Sequence, residues 1–176
     1  MNGSTPAALA EQGKKEYEKG NFRVAANFFE QSAQAYNSAN DPINAAEVRN
    51  NQSVALLQAG RAKEALQATE GTEAIFEQAR DLKRQGIAVS NRAAALEGLK
   101  QWKEALAEYE RAASILEQAG EGDMHSLVRK ASANIHIKLG HVNDTQMDIY
   151  DSLRLVEKPT FSQRVMKFLM RIGLVR

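Results

Sequence analysis

The hydrophobic and polar positions of this chain follow one plan that returns every forty residues. Shifting the sequence by forty places residues 100–106 (KQWKEAL) over residues 60–66 (GRAKEAL). A further shift brings residues 20–26 (GNFRVAA) into the same register, and residues 140–142 (GHV) follow on the other side. A fixed period of roughly twenty to fifty residues is typical of proteins that stack copies of one structural unit. We therefore expect four such units in the 176 residues of the chain.

Each unit is predicted to contain two helices joined by a short turn. Thr5 followed by Pro6 is typical of a helix start, because a hydroxyl caps the first turn and proline fits the first helical position. Asp41-Pro42 repeats this signal one period later. No segment alternates apolar and polar residues as a strand does. The predicted antiparallel pairs are 6–19 with a helix ending near 36, 42–58 with 61–78, 82–98 with 101–118, and 123–139 with 142–157.

Small residues recur at three fixed places in the units. They are Gly13, Ser53, Ala93 and Ala133 on the first helices, Ala25, Ala65, Ala105 and Thr145 on the second helices, and Ser32, Thr72, Ala112 and Ser152 later on the second helices. Small side chains at fixed points let two helix axes approach closely, while larger neighbours fill the remaining gaps. We therefore expect these positions to mark the places where helices cross.

These features together resemble the tetratricopeptide-repeat (TPR) family. The resemblance rests on the small residues, on Gly-Asn-Phe or Lys-Gln-Trp at the turn, and on Glu-Ala-Leu at the start of the second helix. It covers residues 6–157, and the forty-residue period is similar to that of kinesin light chains and spindle-orientation adaptors, whereas the usual period is about 34. The resemblance implies an all-α, right-handed α-solenoid over residues 1–157. Its four repeats would span about 6–38, 42–78, 82–118 and 122–157.

The resemblance also implies a concave groove that is lined by the first helix of each unit and binds a partner protein. The implied groove residues are Lys14, Tyr17, Asn50, Asn51, Val54, Leu57, Ser90, Asn91, Ala94, Glu97, Lys130, Asn134 and Ile137. Asn51 and Asn91 lie one period apart. A row of carboxamides can pair with the backbone of an extended peptide whatever its side chains are. The alternative is that these asparagines only fill a polar surface.

Composition and charge restrict the classes of function. The chain has no cysteine, so disulfides and thiolate chemistry are excluded. Residues 1–157 carry 18 basic and 22 acidic side chains, which argues against nucleic-acid binding. No apolar run approaches the roughly 18 residues of a membrane span, and residues 1–10 lack the features of a secretory signal. We expect a soluble, cytoplasmic protein that lies at a membrane only if its tail binds there.

Catalytic and metal-binding motifs are not predicted. The sequence contains no nucleophile elbow, phosphate-binding loop or carboxylate motif. His136 and His141 are five residues apart with a turn at Gly140 between them, which is not the i,i+4 spacing that puts two ligands on one helical face. The remaining histidine is His125. We therefore expect neither an enzyme nor a cofactor or metal ion.

Residues 158–176 are predicted to form a basic amphipathic helix. Pro159 ends the preceding helix, and Thr160 with Gln163 has the spacing of a capping box. One face would carry Phe161, Val165, Phe168, Leu169 and Ile172, and the opposite face Arg164, Lys167 and Arg171. Exposing the apolar face to water would forfeit about 10 kcal/mol, so it must be covered. Three covers remain open, namely the end of the solenoid, an anionic membrane surface, and a protein that is either a partner or a second copy of this chain.

The sequence therefore predicts a non-catalytic scaffold or adaptor that binds a peptide or helix of another protein in its groove. The alternative is a peripheral-membrane assembly factor that is held at the bilayer by its C-terminal helix.

Overall fold

The computed structural model describes residues 5–171 of the chain, and all regular secondary structure in that range is helical. The all-α prediction is confirmed at this level. The described helices are α1 (Pro6–Glu18), α2 (Phe22–Ser38), α3 (Pro42–Gln58), α4 (Ala62–Ala68), α5 (Thr72–Gln78), α6 (Leu82–Gly98), α7 (Trp102–Gln118), α8 (Gly122–Leu139), α9 (Val142–Arg154) and α10 (Phe161–Arg171). None of them is long and apolar enough to cross a lipid bilayer.

Short polar side chains start the first helices of three units. The Thr5 hydroxyl accepts a hydrogen bond from the backbone N–H of Ala8, as expected from the sequence. The Asp41 carboxylate accepts one from the Asn44 N–H, and Asp81 accepts one from the Arg84 N–H at the equivalent place. Each bond satisfies one of the amide groups that a helix start leaves unpaired.

One of the predicted helices is interrupted in the structure. The single helix expected over 61–78 is two short helices, α4 and α5, separated by Gly71 with φ +75°. The Thr69 hydroxyl donates to the Leu66 carbonyl and the Thr72 hydroxyl to the Thr69 carbonyl, so local side-chain bonds accompany the break. The helix expected to reach residue 157 ends at Arg154.

Helices that are close in sequence pack on one another. Consecutive helices pack extensively on one another, apart from α4 and α5, which both pack mainly on α3 and α6. In addition, α6 packs on α3 and on α8, so first helices of neighbouring units touch. Among the described helices, α1 and α2 make no sizeable contact with any helix beyond α3. The described chain is therefore packed mainly through neighbours along the sequence.

The buried apolar residues fall into clusters that follow this order. One lies chiefly among α1–α4 around Phe29 and Leu56, and another among α6–α8 around Leu116 and Ile135. A smaller cluster around Phe76 joins the second and third units. All the small residues expected at helix crossings are buried, except Thr145, which is half-buried.

Ion pairs also connect neighbouring units. Arg84 contacts Glu47 at 3.1 Å, Arg111 contacts Glu73 at 2.6 Å, and Arg154 contacts Glu117 at 2.8 Å. Each pair joins residues 37 or 38 positions apart, which is close to one period. These side chains are partly exposed, so each pair contributes only about 0–1 kcal/mol.

The fourth unit contains a more deeply buried ionic cluster. The Arg129 side chain on α8 is only 12% exposed and contacts Glu110 on α7. Its guanidinium also lies 3.5 Å from a carboxylate oxygen of Asp148 and 3.5 Å from one of Asp151, both on α9. One guanidinium thus connects three helices. It also balances the charge of Asp148, which is itself buried.

Candidate interaction surface

Four of the residues expected in the groove meet around one cavity. Lys14 and Tyr17 of α1 and Asn51 and Val54 of α3 line a space of about 240 Å³, together with Glu18 and Phe29. The cavity exists because α1 and α3 do not pack closely on each other, while α2 lies against both and supplies the Phe29 ring. Residues 37 or so positions apart in the sequence therefore form one surface.

The walls of this cavity are apolar and its edge is polar. The Tyr17 ring is half-buried and makes an edge-to-face contact with Phe22, with ring centroids 5.2 Å apart. Lys14 and Glu18 are exposed at the rim. An apolar pocket with a few polar groups at its edge is typical of a surface that takes up a side chain.

Asn50 was expected to face the groove, and this prediction is wrong because the residue is buried. Its side chain is 5% exposed and therefore does not present its carboxamide to a groove. The physical reason is helical geometry, because successive residues are rotated by about 100° and the neighbour of a groove residue points elsewhere. The Asn50 Oδ1 atom has no hydrogen-bonding partner among the described residues.

The two asparagines predicted to form a ladder, Asn51 and Asn91, are both half-buried. Within the described part of the chain, neither carboxamide hydrogen-bonds to another residue. Both amides therefore retain their donors and acceptor for a ligand. The Ser90 hydroxyl is less available, because it donates to the Ile87 carbonyl of its own helix.

Glu97 has an internal role that the sequence did not indicate. Its carboxylate accepts hydrogen bonds from the Tyr109 hydroxyl and from the Lys138 ammonium, both at 3.0 Å. Burial, assisted by Glu97, raises the pKa of the Tyr109 phenol far above its usual value, so the phenol remains a donor. The Lys138 Nζ also lies 5.3 Å from the centroid of the Trp102 ring. Glu97 thus connects α6 to α7 and α8.

The remaining expected groove residues differ in exposure. Leu57 is half-buried, and a Cβ on Gly98 would lie 2.8 Å from its Cδ1 atom, so Leu57 packs between units. Ala94 is half-buried. In the fourth unit, Lys130 and Asn134 are exposed, and Ile137 is 60% exposed. The expected groove residues of the fourth unit are therefore more exposed than those of the third, which are half-buried.

Larger cavities lie elsewhere on the molecule. A space of about 370 Å³ between α2, α3 and α4 is lined largely by polar side chains, including Glu30, Arg49 and Arg61. Another cavity of about 420 Å³ lies at the break between α4 and α5 and is lined on its other side by α6. The smaller cavity is the better candidate for binding a side chain, because its walls are largely apolar and it brings together residues from the first helices of two neighbouring units.

The C-terminal helix α10 begins as the sequence predicts. The Thr160 N–H donates to the Gln163 side chain at 2.7 Å, and the Gln163 N–H donates to the Thr160 hydroxyl at 3.4 Å. This reciprocal pair is the predicted capping box. Helix α10 contacts α9, and the Lys167 ammonium lies 3.5 Å from the Arg154 carbonyl.

Two apolar residues of α10 are partly exposed to solvent. Val165 and the adjacent Met166 are each 39% exposed, and Arg164 is exposed. Five further residues of the prediction lie outside the described part of the structure. For Phe161, Phe168, Leu169 and Arg171 this applies to the side chain, and for Ile172 to the whole residue.

Exposed apolar residues on α9 were not expected from the sequence. Met147 is 64% exposed and Tyr150 is 49% exposed, and their spacing of three places them on one face. The signal was present as an apolar pair on a helix, but the repeat pattern alone does not say which face remains uncovered.

No family model matches this sequence, and comparison with curated proteins returns no match.

Proposed function

We propose that the chain is a TPR-like α-solenoid that works as a non-catalytic scaffold and binds an extended peptide or a helix of a partner protein. The ligand would lie along the surface formed by the first helices α1, α3, α6 and α8. The observation that carries this proposal is the cavity in which Lys14, Tyr17, Asn51 and Val54 meet. The forty-residue period and the packing between sequence neighbours support the stacked arrangement.

The size of the cavity favours a side chain over a free small molecule as its occupant. Its volume of about 240 Å³ is below the roughly 300–1,000 Å³ that is typical of small-molecule sites. An apolar side chain of the ligand would contact Tyr17, Phe29 and Val54. The free carboxamides of Asn51 and Asn91 would then bind the ligand backbone on either side.

Peptide selection followed by affinity measurements tests this function. Random peptides displayed on phage would be selected on the intact protein, and the best binder would be measured by fluorescence anisotropy. We expect Asn51→Ala/Asn91→Ala to weaken binding about tenfold or more, because each lost hydrogen bond contributes about 0.5–1.5 kcal/mol. Val54→Trp, which fills the cavity, should weaken it further.

Asn37→Ala is the matched control for these variants. Asn37 is an exposed asparagine on α2 and lies outside the first helices. The proposal fails if a selected peptide binds the groove variants and the Asn37 variant with the same affinity as the unsubstituted protein.

A second function is favoured by the charge of α10. The tail from residue 158 onward has five basic and no acidic side chains, and Arg164 is exposed beside Val165 and Met166. Such a helix suits an anionic membrane surface, where each basic residue contributes about 1 kcal/mol. The protein would then be a peripheral assembly factor whose units present a client.

Liposome co-sedimentation distinguishes the two functions. With phosphatidylserine-containing vesicles, the membrane function predicts binding that is lost in Arg164→Glu/Lys167→Glu and retained in the charge-matched control Arg23→Glu/Lys63→Glu, whose sites are exposed on α2 and α4. The membrane function would be contradicted if the unsubstituted protein did not sediment with the vesicles. It would also be contradicted if the α10 variant and the control variant sedimented equally.

A further inference from the structure

The turn between α8 and α9 brings together three side chains that could ligate one metal ion. His136 lies near the end of α8, His141 directly precedes α9, and Asp144 lies in the first turn of α9. Within the described residues, this is the group whose histidine and carboxylate atoms all lie within 4.8 Å of one another. It is separate from the surface described above.

The backbone of this turn explains why two histidines five residues apart meet. Gly140 adopts φ +75°, its N–H donates to the Ile137 carbonyl, and the His141 N–H donates to the His136 carbonyl. These are the two bonds of a Schellman motif, in which the residues joined by the longer bond usually make a hydrophobic side-chain contact. Here the two positions hold imidazoles.

Equivalent turns of the other units carry different pairs at these two positions. They are Glu16 with Asn21, Tyr36 with Asp41, Leu56 with Arg61, Phe76 with Asp81, Leu96 with Gln101, and Leu116 with Glu121. Among the described turns, a pair of histidines thus occurs in the last one. The shared backbone geometry places the two side chains side by side, and the fourth unit fills both places with metal-binding residue types.

The distances fit a tetrahedral ion. The Nδ1 atoms of His136 and His141 are 3.4 Å apart. Two nitrogens bound to one Zn²⁺ at 2.0–2.1 Å with a tetrahedral angle are separated by about 3.3–3.4 Å. The Asp144 Oδ2 atom lies 3.9 Å from His136 Nδ1 and 3.8 Å from His141 Nδ1. The Asp144 side chain is exposed and free to turn. A shift of its carboxylate oxygen by about half an ångström would bring that oxygen to the distance expected between two ligand atoms of one Zn²⁺.

A buried carboxylate lies next to the Nε2 atom of one of the two imidazoles, that of His136. Asp148 is 6% exposed, and its Oδ2 atom has no hydrogen-bonding partner in the described part of the chain. This oxygen lies 3.6 Å from His136 Nε2. A carboxylate at the outer nitrogen is the usual partner of a metal-bound histidine, since it keeps the proton on that nitrogen and directs the lone pair of the other to the metal.

We propose that His136 and His141, through their Nδ1 atoms, and Asp144, through a carboxylate oxygen, bind one divalent transition-metal ion. Two imidazoles and one carboxylate favour Zn²⁺ and its neighbours over Mg²⁺ or Ca²⁺, which take oxygen ligands. The fourth position faces solvent and takes a water molecule. The ion joins the end of α8 to the start of α9, so its binding stabilises the fourth unit by mass action.

Calorimetric titration of the full chain with Zn²⁺ tests this site. The protein would be prepared without a polyhistidine tag and freed of metal with a chelator. We expect one ion per chain at micromolar Zn²⁺, and a Tm that rises when the ion is added. His141→Ala and Asp144→Asn, both at exposed side chains, should weaken binding at least about tenfold and reduce the rise in Tm.

The matched controls are His125→Gln and Asp123→Asn. His125 is a histidine of α8 outside this group, and Asp123 is an exposed acid in the first turn of a helix, as Asp144 is. Both controls should bind Zn²⁺ as the unsubstituted protein does. Co²⁺ in place of Zn²⁺ should give the intense visible absorption of a tetrahedral site. The absence of saturable binding, or equal binding in His141→Ala and the controls, would overturn the proposal.

Discussion

Some residues of this chain are small because a side chain of the next helix occupies the space beside them. A Cβ on Gly86 would lie 2.7 Å from the Leu116 Cγ atom, and Leu116 is fully buried. A Cβ on Gly13 would lie 2.7 Å from the Phe29 ring. The sequence alone indicates Gly13 through its repeat column, but the close contact of Gly86 depends on the exact approach of two helices.

Gly86→Ala is expected to destabilise the protein by about 1–3 kcal/mol through overpacking. Alanine is the better helix former by about 1 kcal/mol, so the sign of the change reports which effect is larger. Chemical denaturation of Gly86→Ala beside Ser90→Ala, which changes a half-buried site of the same helix, gives the comparison. An increase in the free energy of unfolding of Gly86→Ala would show that α6 and α7 do not approach this closely.

We expect His125 to make the stability of the protein dependent on pH. It is fully buried, neither ring nitrogen has a hydrogen-bonding partner among the described residues, and burial, with help from Arg129, lowers its pKa from 6.5. As the pH falls through 6.5, the unfolded chain binds a proton at His125 more readily than the folded chain does, because the pKa of His125 is lower in the folded chain. The free energy of unfolding therefore falls, by at most about 1.4 kcal/mol per pH unit for this group.

His125→Gln tests this effect, because Gln85 occupies the equivalent buried position one period earlier. We expect denaturation curves between pH 7 and pH 5 to show a steeper loss of stability for the unsubstituted protein than for the variant. Parallel pH profiles would mean that His125 does not contribute.

At the scale of elements, helix starts are predictable and helix interruptions are not. Thr5 and Asp41 cap helices as expected, because a capping bond depends on residues three positions apart. The break between α4 and α5 was missed, because Thr72 fits the column of small residues and Gly71 aligns with Arg111 in the continuous helix α7. The histidine pair was missed because the i,i+4 rule applies within one helix and not across a turn.

Gly71→Ala is expected to destabilise the protein by about 1–2 kcal/mol, because φ +75° is unfavourable for a residue with a Cβ. Gly71→Asn should cost less, since asparagine tolerates this conformation. Nothing lies within 4 Å of a Cβ at this position, so packing does not obscure the comparison. Thermal denaturation of both variants and of the unsubstituted protein makes the comparison. A Tm of Gly71→Ala above that of Gly71→Asn would contradict this prediction and would mean that α4 and α5 can join into one helix without loss of stability.

At the scale of the whole molecule, the arrangement that we propose is an open stack, in which helices pack mainly on their neighbours along the sequence. The described helices pack mainly on neighbours, and the pairs of Arg84 with Glu47, Arg111 with Glu73 and Arg154 with Glu117 each connect residues 37 or 38 positions apart. The period and the helix pairs follow from the sequence. The inward position of Asn50 and the internal bonds of Glu97 do not, because they depend on how far each helix is rotated about its axis.

Small-angle X-ray scattering tests the proposed stack. A compact domain of this length has a radius of gyration of about 16 Å, and we expect a larger value for the monomer. Light scattering on the same sample would establish that the species is a monomer. A monomer with the radius of a compact globule would contradict the open arrangement.

The most direct test of the proposed scaffold function is to map a bound peptide by nuclear magnetic resonance. A peptide selected on the intact protein would be titrated into ¹⁵N-labelled chain while the amide signals are followed. We expect the largest shift changes on α1 and α3 around Tyr17, Asn51 and Val54, and further changes along α6 near Asn91. Changes confined to the second helices α2 and α7, with α1 and α3 unaffected, would contradict it.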